Sequence, residues 1–150
     1  MVPHLFLLPQ LPASKVARTT EALITLPYDQ VRLLRAGLHA LVEVDSSEDP
    51  ARVADAVSAV LAPLKLDVEA LSCGKEHFYD HTLIVGKVDP VSFTELLASQ
   101  FYRDELTLTS LDPGGEKWLV SMPLLPFGSF ATIKQLAKPL KVRAVHFKAP

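Results

Sequence analysis

Residues 38–64, LHALVEVDSSEDPARVADAVSAVLAPL, hold the pattern on which the fold turns. Leu38, Ala40, Val42 and Val44 alternate with His39, Leu41 and Glu43, the two-residue period of a strand that turns one face to a core. Asp49 then precedes Pro50, a good N-cap followed by the residue that loses nothing at the first helical position. Val53, Ala56, Val57, Val60 and Leu64 follow at helical spacing, so the strand is expected to feed a helix that packs back onto its sheet.

The same reading extends in both directions. Residues 4–8 form an apolar run closed by Pro9 and Pro12, which predicts a first strand. Ser14 is then expected to cap a helix whose stripe is Val16, Thr20, Leu23 and Ile24. Gly37 separates an extended stretch beginning at Val31 from the strand already described. Asp89-Pro90 repeats the capping device ahead of Phe93, Leu96 and Leu97. Two hairpins are expected, one joining residues 66–71 to 81–88 through Gly74-Lys75-Glu76, the other joining residues 105–111 to 118–125 through Asp112-Pro113-Gly114-Gly115. Gly128-Ser129 opens a last helix carrying Phe130, Ile133, Ala137 and Leu140, and residues 143–147 return as a closing strand. Hairpins interspersed with helices predict an α+β chain with antiparallel sheets and packed helices.

Composition narrows the function classes. A chain of 150 residues, 49% apolar, has the size and material of one domain, expected to cover residues 1–150. Lys and Arg number 15 against 17 Asp and Glu, so net charge calls for neither a polyanion nor a membrane surface. The distribution is uneven, because no acidic residue follows Glu116 whereas Lys117, Lys134, Lys138, Lys141, Arg143 and Lys148 do, a bias that would suit a phosphate-attracting rim. Cys73, alone, can form neither an internal disulfide nor a thiolate metal cluster, which points to a reducing compartment, and cytoplasm is the expected location. Apolar runs such as residues 5–8 and 38–42 are far shorter than the ~20 residues that cross a bilayer, so no membrane span is expected. His77 and His81 flank Asp80 in what reads as a turn, where a spacing of four does not put both rings on one face, and no metal is expected there. Phosphate-binding P-loop, dinucleotide-binding glycine and Gly-x-Ser-x-Gly patterns do not occur, and Ser121 and Ser129 have no recognisable catalytic partner.

The two alternating strands at residues 38–44 and 105–111, with Val31-Arg32-Leu33-Leu34-Arg35 ahead of the first and Phe101-Tyr102-Arg103 ahead of the second, give a layout that resembles the two-histidine phosphoesterases. That family comprises bacterial RNA ligase and 2′,3′-cyclic phosphodiesterase types defined by two His-x-Thr or His-x-Ser strands. The likeness spans nearly the whole chain and implies two pseudo-symmetric lobes around one cleft. Each motif here keeps one member: His39-Ala40-Leu41 retains the histidine and Glu105-Leu106-Thr107 retains the threonine. The resemblance implies His39 as general acid/base, Glu105 as its counterpart and Thr107 as a phosphate ligand. Arg35 and Arg103 would be phosphate-attracting residues at the rim. The partner would be a nucleotide or an RNA end with a cyclic or terminal phosphate, and neither a metal nor an organic cofactor is required.

Chemistry sets limits on this expectation. A histidine titrates near neutrality unaided, whereas a glutamate must have its pKa raised by burial or a nearby negative charge before it can donate a proton there. A leucine at position 41 replaces a hydroxyl ligand by an apolar wall. The alternative is a non-catalytic protein-interaction or oligomerising module on the same or a ferredoxin-like fold. Residues 38–111 taken alone run strand, helix, strand, strand, helix, strand, the ferredoxin-like order.

Overall fold

A computed structural model describes residues 2–71, 80–101, 106–122 and 129–150. The chain divides into two compact units, residues 1–76 with 148–150 and residues 77–147.

In the first unit β1 (Val2–Leu8) leads to α1 (Val16–Ile24), β2 (Gln30–Ala36), β3 (His39–Ser46), α2 (Pro50–Leu61) and β4 (Glu69–Leu71). The sheet runs β2-β3-β1-β4 and every pairing in it is antiparallel. The second unit repeats the plan with β5 (Asp80–Val85), α3 (Pro90–Ala98), β6 (Thr107–Ser110), β7 (Lys117–Met122), α4 (Phe130–Ala137) and β8 (Arg143–His146). Its order is β6-β7-β5-β8, again antiparallel throughout. Each unit is thus a complete ferredoxin-like βαββαβ. The α+β class and the antiparallel sheets are as expected. The ferredoxin-like frame is displaced: the repeats begin at β1 and β5, and not at residue 38.

The displacement follows from a pairing that local pattern cannot reveal. Residues 66–71 and 81–88 read as a hairpin, yet β4 pairs with β1 while β5 pairs with β7 and β8, so the two belong to different sheets. Their connection lies outside the described residues. The β6–β7 hairpin forms as expected, with Asp112 Oδ1 accepting from the amides of Glu116 and Lys117, both at 2.9 Å.

Helix placement follows burial. Asp49 caps α2 by accepting from the Ala51 amide at 3.3 Å, and Val53, Val57 and Leu61 turn to the core with Phe6, Leu8, Ala40, Val42 and Val44. α1 departs from expectation at two points. Ser14 lies in a 3-10 turn and Lys15 holds the cap position, with no side-chain capping bond. The buried stripe is Thr19 and Leu23, whereas Ile24 is 75% exposed. Thr19 tolerates the core because its hydroxyl donates to the Lys15 carbonyl at 2.7 Å. In the second unit Ile84, Phe93, Leu97, Trp118, Val120 and Ile133 make the corresponding core.

Gly86 ties the end of β5 to the approach to β8. Its φ is +140° and a Cβ there would stand 2.5 Å from Val142 Cγ1, so both conformation and space require glycine. Gly37, at φ +61°, has nothing within 4 Å of such a Cβ. Gly86→Ala is therefore expected to cost about 1–3 kcal/mol of stability and Gly37→Ala less, about 1 kcal/mol, read as urea midpoints at unchanged slope. The reverse order would disprove the close approach at Val142.

Candidate functional site

The residues singled out by sequence fall as follows. His39 is the first residue of β3, half-buried and opposite Ala36, and it shares its face with the fully buried Leu41. Thr107 is the first residue of β6, half-buried and opposite Ser121. His39 belongs to the first unit and Thr107 to the second. Glu105 and Arg103 lie outside the described residues. Arg35 pairs with Ala40, on the helix side of the sheet, so the strand pleat puts Arg35 and His39 on opposite faces. The Arg35 guanidinium donates through Nη2 to the Leu11 carbonyl at 2.9 Å, and its backbone exchanges bonds of 2.7 and 2.9 Å with Lys148. Arg35 therefore ties the Leu11 loop and the chain end to β2, which is structural work that the sequence reading did not foresee.

Two polar clusters in the second unit were also missed. On the helix side, Asp80 is buried at the start of β5, accepts from the Ser129 hydroxyl through Oδ2, and meets His146 Nε2 at 2.5 Å through Oδ1. The His146 ring stacks on Phe130 with centroids 5.2 Å apart. Thr82 neighbours both, two residues after Asp80 on one face and opposite His146 across the sheet, and its buried hydroxyl has no hydrogen-bond partner among the described residues. On the other face, His81 Nδ1 lies 2.8 Å from Ser121 Oγ, which puts His81, Ser121 and Thr107 in one row across β5, β7 and β6. Sequence had given Ser121 and Ser129 no partner because the strand register supplies His81 to the first, and the start of α4 brings the second to Asp80. Among the described residues no group of three or more His, Cys, Asp or Glu is placed to hold a metal ion.

A pocket of about 190 Å³ opens at the start of α3. Val88, Phe93, Leu96 and Leu140 give it apolar walls, while Lys87, Asp89 and Ser92 supply polar groups. Asp89 is the N-cap of α3 and accepts from the Ser92 amide at 3.1 Å and the Ser92 hydroxyl at 2.6 Å. These bonds, the hydroxyl first, hold its pKa below the ordinary aspartate value. The pocket has room for roughly one aromatic ring and a small substituent, since a cavity of ~150 Å³ accepts benzene.

The clusters and the cap yield separate expectations. Asp80→Ala strands a buried hydroxyl and a half-buried imidazole, and should lower unfolding stability by about 3 kcal/mol. Thr82→Val removes a hydroxyl without a partner among the described residues and should be neutral or stabilising by about 1 kcal/mol; a clear loss in denaturant melts would mean that the hydroxyl is partnered. Because the folded pKa of Asp89 is depressed, its capping contribution is present above the unfolded value and lost as pH falls through the folded one. Amide protection at residues 91–93 should therefore drop at acid pH in the native chain, and Asp89→Asn, which caps without titrating, should abolish that component.

No family model and no curated protein matches this chain. Among solved structures it is similar to a protein described as a glycine cleavage system transcriptional repressor, at 12% identity and TM-score 0.35, covering 99% of this chain and 97% of that one. A protein of Bacteroides thetaiotaomicron matches at 10% identity and TM-score 0.34, with 97% and 92% covered. An unidentified protein of Galdieria sulphuraria matches at 12% identity and TM-score 0.35, with 99% and 97% covered. Likenesses of this size assign no function, and what the chain does has to be argued from its own groups.

Proposed function

We propose that this chain is a binding module that holds a small molecule in the pocket at the start of α3. The observation that carries this reading is the pocket's make-up: among the described residues four apolar side chains form its walls, and the one carboxylate lining it, Asp89, is already committed to capping the helix. Such a site has groups to orient a ligand but no acid and base pair to transform it. Two ferredoxin-like units are a frame that serves many binding and oligomerising domains, which agrees with the reading without deciding it.

The rival is hydrolysis of a cyclic phosphate with His39 and Thr107. In the first arm of the test, benzyl alcohol is titrated into the chain while backbone amide shifts are followed by NMR. Saturable changes are expected at Val88, Ser92, Phe93, Leu96 and Leu140, weakened by Leu140→Asp in a variant that keeps its spectral dispersion. In the second arm, phosphorus NMR follows a 2′,3′-cyclic nucleotide, and the spectrum is expected to stay unchanged. Ring opening that vanishes in His39→Ala, with no saturable shifts in the first arm, would replace the binding reading by the phosphodiesterase.

A further inference from the structure

We infer that the pocket at the start of α3 takes a primary alkylammonium ion, with the ammonium between the Asp89 carboxylate and the Leu140 carbonyl and the alkyl chain along Phe93 and Leu96. The inference rests on the pocket being a binding site and adds the chemistry of its occupant. The first unit supplies the template, because there the chain's own lysine makes the corresponding contact. Residues 62–65, APLK, and 138–141, KPLK, are one turn in two copies: each is a 3-10 turn after the second helix of its unit, and each closes on a lysine with left-handed backbone, at φ +55° and +60°. Leu64 and Leu140 therefore correspond. Lys15 and Asp89 correspond as the N-cap residues of α1 and α3, and the buried residues of those helices, Thr19 with Leu23 and Phe93 with Leu97, follow at the same spacing from each cap.

In the first unit Lys15 Nζ donates to the Leu64 carbonyl at 2.9 Å, so an ammonium on an alkyl stem joins the start of α1 to the carbonyl that ends the turn. In the second unit both ends of that bridge are present and the lysine is not. Asp89 and Leu140 line one pocket of about 190 Å³. The Leu140 carbonyl has no hydrogen-bond partner among the described residues, and Asp89 caps α3 through Oδ2, which leaves Oδ1 without one. Exchanging lysine for aspartate removes the donor and adds an acceptor. A carboxylate cannot donate to the carbonyl, whereas an ammonium donates to both. Three lysines oppose such an ion: Lys87 in the lining, and Lys138 and Lys141 on either side of Leu140 in the chain. Lys65 holds the place of Lys141 in the first unit, in the same backbone conformation, and leaves the Lys15 bond intact. Lys87 and Lys138 are exposed, where solvent screens a charge more than it weakens a direct hydrogen bond in the pocket.

The test is titration of n-butylamine, 1-butanol, butyrate and butyltrimethylammonium into the whole chain, with benzyl alcohol as the reference occupant and backbone amide shifts at Val88, Ser92, Phe93, Leu96 and Leu140 as the readout. Butylamine carries the alkyl stem of lysine and should bind roughly tenfold tighter than 1-butanol at low salt, while butyrate should bind no tighter than the alcohol. Butyltrimethylammonium keeps the charge, has no N–H, and should lose most of that margin. Asp89→Asn, which still caps the helix, should weaken butylamine roughly threefold, and Lys87→Gln should strengthen it roughly twofold, with 1-butanol unmoved by either. Nα-acetyl-lysine N-methylamide separates two sources of the group: binding equal to butylamine assigns it to a lysine side chain, weaker binding to a free amine, and the ammonium stands in both. If benzyl alcohol saturates the pocket and butylamine binds no better than 1-butanol, the ammonium inference falls and the binding site stands. If butyltrimethylammonium matches butylamine, no hydrogen bond reaches the carbonyl and the inference is likewise overturned. If no probe shifts the pocket residues, both fall.

Discussion

Each sheet is organised by the first strand of its unit, which is hydrogen-bonded along both edges: β1 to β3 and β4, β5 to β7 and β8. That double pairing fixes which side chains meet the helices. In β1 the residues Phe6 and Leu8 face the helical core, while Leu5 and Leu7 face the other way and are buried too. In β5 Ile84 faces the core, and His81 and Leu83 lie on the other, equally buried face. A slip of one residue would exchange the faces, placing His81 among Phe93 and Leu97. Burial on both faces explains why residues 5–8 of β1 and 83–85 of β5 read as continuous apolar runs.

The polar clusters follow from the same register. β8 sets His146 opposite Thr82, Asp80 precedes Thr82 on that face, and the start of α4 brings Ser129 to the carboxylate. The first unit treats the matching place differently. Counting five residues from Lys65 and from Lys141, the two residues with left-handed backbone, leads to Ala70 and His146, which sit opposite Phe6 and Thr82. His4 then corresponds to Asp80, and its Nε2 meets the Ser46 carbonyl at 3.1 Å. A buried carboxylate with its partners adds little net stability, because desolvation consumes most of the attraction. It does penalise any arrangement of β8 or α4 that leaves the carboxylate unpaired, and so acts on register more than on stability.

Local signals were read well where a single segment determines its own conformation. Asp49-Pro50 and Asp89-Pro90 mark the starts of α2 and α3, and the turn at residues 112–115 closes a hairpin as its composition demands. Legibility ended where a partner distant in sequence decides the outcome. Nothing in residues 66–71 says that their neighbour is β1, and nothing near Asp80 announces a histidine 66 positions on. The choice of Thr19 over Thr20 for the core depends on a hydroxyl that finds the Lys15 carbonyl, a detail that apolar periodicity does not register. Arg35 was read as a rim cation because its charge is visible in sequence, while the Leu11 carbonyl that engages it is not.

The pocket itself arises from a difference between two copies of one plan. In the first unit residues 9–15 connect β1 to α1, long enough to fold Leu11 into the core with no exposed surface. Leu64 packs against that core, and Lys15 Nζ donates to its carbonyl at 2.9 Å, so the corner is closed. In the second unit residues 86–89 make the same connection, and this shorter loop carries no counterpart of Leu11. Leu140, which corresponds to Leu64, is left 44% exposed along the pocket wall. Filling the corner with a leucine-sized side chain would contribute about 1.5–3 kcal/mol of burial, a stabilisation that the second unit forgoes. An apolar body seated against Phe93, Leu96 and Leu140 would recover part of it on binding, which makes the shortened loop the feature that turns a core corner into a receptive one.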